Sequence, residues 1–163
     1  MTRKDDIAIF LDRARSARSR GHLRDALRHY GRATDAADRL QDARIIHALH
    51  GLAQAQEQLE QLVEAEASYR RSAVIAQTLL GENHPLTARS LNQLALVVRA
   101  AGRSPEARVL AEASLDISHA IQSEADAAVA EHTLALVATD MGDAADALRR
   151  LERVVSVLSL IHI

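Results

Sequence analysis

The chain has 163 residues, 48% of them apolar but only 2% aromatic, so any core must be built from Ala, Leu, Val and Ile. With two prolines and six glycines, that mixture favours helices and argues against a β-sandwich or barrel. A formal charge of −2, from 20 basic and 22 acidic residues, argues against bulk attraction to nucleic acid or an anionic membrane, and the absence of cysteine excludes disulfides, thiolate metal sites and thiol catalysis.

In chain order the sequence predicts eight helices in four hairpins. The charged N-terminus leads into an apolar run, Ile7 to Leu11, that is too short for a signal peptide and stops at Asp12. The first helix is expected over about 5–19, a turn at Gly21, and a return helix over about 22–39. Helices at about 42–58 and 62–80 follow, joined across Leu59-Glu60-Gln61. The clearest break is Gly81-Glu82-Asn83-His84-Pro85: Gly81 can take the left-handed conformation that ends a helix, and Pro85 forces His84 out of the helical region while opening the next helix. The third hairpin is about 86–101 and 105–121, hinged at Gly102, with Ser104 expected as N-cap before Pro105. The fourth is about 124–140 and 143–160, with Gly142 ending one helix and Asp143 capping the other.

Four alanine pairs tie these hairpins together. Ala14/Ala26, Ala53/Ala65, Ala95/Ala107 and Ala135/Ala147 are each twelve residues apart and bracket a hairpin turn. Their second members fall 39, 42 and 40 residues apart, a period that marks a stacked helical repeat. Two antiparallel helices approach closely only where the facing side chains are small, so the alanines should be buried at the crossings within hairpins. Ala33, Ser72 and Ser114 add small positions. The larger residues expected between hairpins are Phe10, Leu49, Leu52, Leu91, Leu94 and Leu134 on first helices, with Tyr30, Tyr69 and Leu151 on second helices. The architecture expected is all-α: a right-handed α-solenoid of about four antiparallel hairpins.

The stretch Leu79 to Ile117 resembles the tetratricopeptide repeat (TPR) of the kinesin-light-chain type. It carries Gly81/His84/Pro85 as a linker, Leu91-Asn92-Gln93-Leu94-Ala95 opening a helix, Gly102 at the turn and Glu106-Ala107 in the second helix. Residues 64–76, EAEASYRRSAVIA, resemble the corresponding second helix of the family. The resemblance implies TPR-like repeats over about 5–40, 42–81, 85–121 and 124–157, within a solenoid spanning 1–157. Departures from the pattern are Arg13 and Glu131 where large apolar residues are expected, Glu60 where Gly is usual, and Ala111 in place of an aromatic. The last six residues, Leu158 to Ile163, look like the translated adapter of a transposon-based sequencing library, so 158–163 is expected to be a non-native tail on a longer protein.

Motifs for chemistry are sparse. There is no Gly-rich phosphate loop, Gly-x-Ser-x-Gly elbow or His-Glu-x-x-His. His47 and His50 lie one turn apart, but no third ligand accompanies them, so polar lining of a groove is the better reading than a metal site. Asp140, Asp143 and Asp146 read as helix-end capping rather than a calcium loop. Arg13, Arg15, Arg18 and Arg20 form a basic run without interleaved aromatics, which reads as a solvated helix face. No catalytic residue, cofactor or metal is expected.

The resemblance further implies that the concave wall, lined by first helices, takes extended peptides or helices. Projected from the alanine register, that wall carries Arg15, Arg18, His47, His50, Gln54, Glu57, Arg89, Asn92, Gln93, Arg99, His132 and Asp140. Its arginines outnumber its carboxylates, so an acidic peptide is the expected ligand, with Asn92 pairing with the donor and acceptor of a peptide unit. The expectation is a non-catalytic interaction scaffold, bacterial from its single lysine against nineteen arginines, and cytoplasmic, with no nucleic-acid or membrane partner. A regulatory TPR sensor that binds a signalling peptide and controls an attached effector is the alternative. Self-association is expected through the last helix, whose residues Val154 to Ile161 are apolar on nearly every face.

Overall fold

The structure is a computed structural model and describes residues 4–161. Among these residues there are eight α-helices and no strand: α1 Lys4–Ser19, α2 Leu23–Arg39, α3 Arg44–Gln58, α4 Leu62–Leu80, α5 Pro85–Ala100, α6 Ser104–Ala120, α7 Glu124–Asp140 and α8 Ala144–Ile161. Consecutive helices pair as the expected four hairpins. The chain divides into two compact units, one up to Leu79 and one from Leu80, so the break falls at the glycine-proline linker and each unit holds two hairpins. Of the tail, His162 and Ile163 lie outside the described residues.

Local chemistry explains the helix ends. Gly21, Gly81, Gly102 and Gly142 all have φ between +77° and +97°, the left-handed region where a Cβ is penalised. The other turns place Gln41, Glu60 and Gln122 at φ +47°, +60° and +56°, so three side-chain-bearing residues adopt the conformation that glycine adopts elsewhere. His84 is extended (φ −125°, ψ 141°) before Pro85, and its Nδ1 accepts from the Leu86 N–H at 3.1 Å. Asp143 caps α8 by accepting from the Asp146 N–H at 2.9 Å. Ser104 does not cap α6: the cap position falls on Arg103 and Ser104 is the first helical residue, which moves Pro105 into the first turn where its missing N–H costs nothing. Ser123 makes the cap that the sequence reading passed over, accepting from the Asp126 N–H and donating to its carboxylate at 2.7 Å.

All eight register alanines are buried. Ala14, Ala26, Ala53, Ala65, Ala95 and Ala107 are fully covered, with Ala135 and Ala147 nearly so. Ala33, Ser72 and Ser114 are buried with them, and Ser114 Oγ donates across to the Ala88 carbonyl at 2.8 Å, locking α6 to α5. Between hairpins, size is exchanged in register. In the first unit the buried Tyr30 of α2 lies against Gly51 of α3, where an added Cβ would overlap the ring. In the second unit the equivalent of Tyr30 is Ala111, and Leu134 of α7 packs with it and with Ala95. Leu134 is in register with Leu52, and the position in register with Gly51 is the buried Thr133, so a larger residue stands there where the aromatic is missing.

Leu49, Leu91, Leu94, Leu134, Tyr30 and Tyr69 are buried as expected, whereas Phe10 and Leu52 are half-buried and Leu151 is exposed. Leu151 departs because no helix among the described residues covers that face of α8; its register partners Tyr30, Tyr69 and Ala111 are all buried. The other departures have specific outcomes. Arg13 is exposed. Glu131 is buried and accepts from Arg150 at 2.8 Å and Arg153 at 3.0 Å, while Arg150 also donates to Asp146 at 2.8 Å. A buried carboxylate persists there only because α8 brings guanidinium groups to it.

Candidate functional site

The residues projected onto the first-helix faces divide between the two units. In the first, α1 and α3 lie side by side and Arg15, Arg18, Gln54 and Glu57 converge, with Ser19 and Gln58, around an open concavity of about 700 Å³. Arg18 Nη1 donates to Gln54 Oε1, joining the two helices. Glu57 is held from behind: the Tyr69 hydroxyl of α4 donates to its Oε2 at 2.8 Å. Burial, reinforced by the Glu57 charge and hydrogen bond, pushes the Tyr69 phenol well above its ordinary pKa, so it stays a donor. Next to it, Ser68 Oγ donates to Gln56 at 2.8 Å.

Ser19 and Gln58 were missed at the sequence level. Each lies four residues beyond a projected residue (Arg15 and Gln54), so extending the face by one helical turn finds both. His47 and His50 do not join this concavity. His47 is exposed, and the His50 ring meets Tyr69 at 73° with centroids 5.7 Å apart, a packing contact with the residue that orients Glu57. Among the described residues no three His, Cys, Asp or Glu side chains converge as a metal site would require.

In the second unit, α5 and α7 are tied by two ion pairs. Arg89 Nε donates to Asp126 at 3.1 Å and Arg99 Nη2 to Asp140 at 3.0 Å. The projected excess of positive charge is therefore offset here, because each arginine meets a carboxylate of the neighbouring helix; Asp126 gave no sequence signal for this role. Between the pairs on α5 lie Gln93, half-buried, and Asn92, 3% exposed. Neither Asn92 Nδ2 nor Oδ1 finds a hydrogen-bond partner among the described residues. A shielded primary amide without partners costs about 1–3 kcal/mol, so this one is an anomaly that calls for an explanation. His132 is exposed on α7. Positive charge remains available in the first unit: among the described residues Arg15 pairs only with Asp12 at 3.3 Å, both side chains more than 60% exposed, an arrangement worth little in water.

Comparison with known proteins agrees with this geometry. Residues 44–120 match the family model of the tetratricopeptide repeat. The crystal structure of BtubC (BKLC) from P. vanneervenii is similar with a TM-score of 0.87 at 20% identity, covering 96% of this chain and 64% of that one. The chain therefore spans less than two thirds of that protein. A kinesin-light-chain-like protein of Podosopora anserina with nearly identical TPR-like repeats gives 0.80 at 22% identity, covering 98% and 78%. The apo form of RapI gives 0.88 at 12% identity, covering 97% and 57%. No curated protein matches the chain by sequence. Identities this low speak for the fold alone. No helix among the described residues is long and apolar enough to cross a membrane.

Proposed function

We propose that this tetratricopeptide-repeat protein is a non-catalytic interaction module that binds an extended peptide or helix of a protein partner along its first-helix faces. The observation that carries the reading is Asn92, whose amide is shielded on α5 with donor and acceptor both unspent. A peptide unit offers the complementary N–H and C=O in one rigid plane, so a rotamer change that brings the covered amide to the surface lets one backbone contact satisfy both atoms. The first unit supplies charge recognition. Arg15 and Arg18 can take a ligand carboxylate, Arg15 by exchanging its exposed contact with Asp12, while Glu57 accepts from a ligand N–H without moving. Each unit is thus suited to a protein segment, the first to one with acidic side chains and the second to one with an accessible backbone.

The experiment is a hydrogen-exchange footprint with a partner captured from lysate and purified. Protection should appear on α3 around Gln54–Glu57, on α5 around Asn92, or on both. Protection confined to α2, α6 or the outer face of α4 would refute the assignment.

The exposed side of α8 supports a second contact, self-association. Leu148, Leu151, Val155 and Leu158 lie in one stripe and are between 42% and 62% exposed. The residues in register with Leu151 and Leu158 on α2 (Tyr30, Ala37) and α6 (Ala111, Ser118) are buried, in units where the following first helix packs against those helices. The α8 stripe is the same surface without that helix, and an apolar surface of this kind favours association.

A further inference from the structure

A third surface lies on the outer side of the first hairpin, away from the faces discussed above. Asp12, Arg13, Ser16, Ala17 and Arg20 of α1 face His22, Asp25 and His29 along α2 across a shallow groove. Residues 12–32 contain seven arginines and two aspartates, a local excess that the net charge of −2 conceals. Both aspartates are already engaged, Asp12 by Arg15 and Asp25 by Arg28 at 2.9 Å. Arg13, Arg20, Arg24 and Arg32 are exposed and make no ion pair among the described residues.

The register shows what kind of surface this is. Where α3, α5 and α7 carry Leu52, Leu94 and Leu134, α1 carries Arg13; where they carry Ala55, Val97 and Val137, α1 carries Ser16. On those later helices the positions are buried or half-buried, and on α3 and α7 the preceding hairpin packs against them. On α1 the same face is polar and cationic, so neither another apolar hairpin nor the α8 stripe of a second copy suits it. Its complement is anionic. Nucleic acid is the poorer candidate because no Phe, Tyr or Trp ring is freely presented for base stacking among the described residues: Tyr30 is buried, and Phe10 is half-buried with the Arg32 guanidinium 5.9 Å from its ring centre. Arg13 and Arg20 are two helical turns apart, about 10 Å along the axis, which matches carboxylates at i and i+7 of a partner helix.

We infer that the outer groove of the α1–α2 hairpin is a docking site for an acidic helical segment of a protein partner, with Arg13 and Arg20 as its principal contacts. His29 supplies an internal reporter. Its Nδ1 is shielded without a partner among the described residues, and burial, followed by Arg28, Arg13 and Arg32, lowers its pKa against the opposing effect of Asp25. A carboxylate seated in the groove offsets that cationic field and raises the His29 pKa toward its ordinary value. His22, Arg20 and Asp12 line the same groove and contribute to the field the ligand meets.

The test uses an alanine-based helical peptide with glutamates two turns apart, and a single-stranded oligonucleotide of equal charge as the competing class. Binding to the full chain is read by fluorescence anisotropy, and the His29 titration by imidazole NMR. The expected result is peptide binding that Arg13→Glu with Arg20→Glu weakens by about tenfold or more, while the charge-matched Arg39→Glu with Arg71→Glu changes it less than about twofold. The His29 midpoint should rise when peptide is added. The exposed positions let both double variants fold, which circular dichroism checks. Equal weakening by the two double variants, no peptide binding, an unmoved His29 midpoint, or tighter binding of the oligonucleotide through the same arginines would each overturn the inference.

Discussion

Gly51→Ala should destabilise the protein, against the ordinary preference of helices. In a helix interior, Ala is better than Gly by about 1 kcal/mol, so an isolated α3 would gain from the change. In the folded chain the new Cβ would lie within the Tyr30 ring, against Cε1, Cζ and Cδ1. Tyr30 is 2% exposed, so the ring has no solvent space to swing into and α2 and α3 must separate or the ring must leave its rotamer. Overpacking costs about 1–3 kcal/mol, and overlap with three ring atoms places this case at about 2–3, which exceeds the propensity gain and leaves a net loss of about 1–2 kcal/mol. Urea denaturation followed by circular dichroism would read the loss as a lower midpoint. In a Tyr30→Ala background the obstruction is gone, and Gly51→Ala should become stabilising by about its propensity gain, giving a coupling of about 2 kcal/mol. A stabilised single variant, or effects that add without coupling, would refute the tyrosine-against-glycine packing of α2 on α3.

Glu60→Gly should stabilise the α3–α4 turn by about 1 kcal/mol, because φ is +60° there and glycine adopts that region without the Cβ penalty; a denaturation midpoint that falls would contradict this. Acid should remove a contribution from Asp42. Its carboxyl is held at about 2, below the ordinary 3.8, by the side-chain hydrogen bonds of Arg44, so its stabilisation is present above the unfolded value and lost as pH falls from about 4 toward 2. Asp42→Asn should abolish that part of the pH dependence, about 1 kcal/mol after allowance for the partial exposure of the pair, as followed by denaturation at pH 5 and pH 2.5. Leu151→Glu with Val155→Glu on α8 should shift the chain toward monomer in light scattering without lowering its melting temperature, and an unchanged mass would remove α8 as the contact.

Much of the fold was legible because it depends on small residues at fixed intervals. The alanine register placed eight buried crossings, and the glycines marked four of the seven turns. The remaining turns were harder to read for one reason: Gln41 and Gln122 adopt a glycine conformation while looking like ordinary helix formers. Leu151 was misplaced because periodicity identifies an apolar face but not whether a neighbour covers it. The site was legible only as faces. Arg15, Arg18, Gln54 and Glu57 meet because one helical period brings each pair onto one side of α1 and α3. The neutralisation of Arg89 and Arg99 depends on carboxylates 37 and 41 residues away, and no local spacing reveals a partner at that separation. Glu131 belongs to the same class, since its guanidinium partners come from another helix.

The most direct measurement is the affinity of a purified partner segment for Asn92→Ala, taken by calorimetry beside the melting temperature of the free variant. If the amide pairs with a ligand backbone, losing two neutral hydrogen bonds weakens binding by about tenfold. The free protein should melt at the same temperature or slightly higher, because the shielded amide has no partner in the chain to lose. Val109→Ala and Glu112→Ala, on the exposed side of α6, should leave affinity unchanged. Full affinity in Asn92→Ala, with losses in the α6 variants instead, would contradict binding along the first-helix faces.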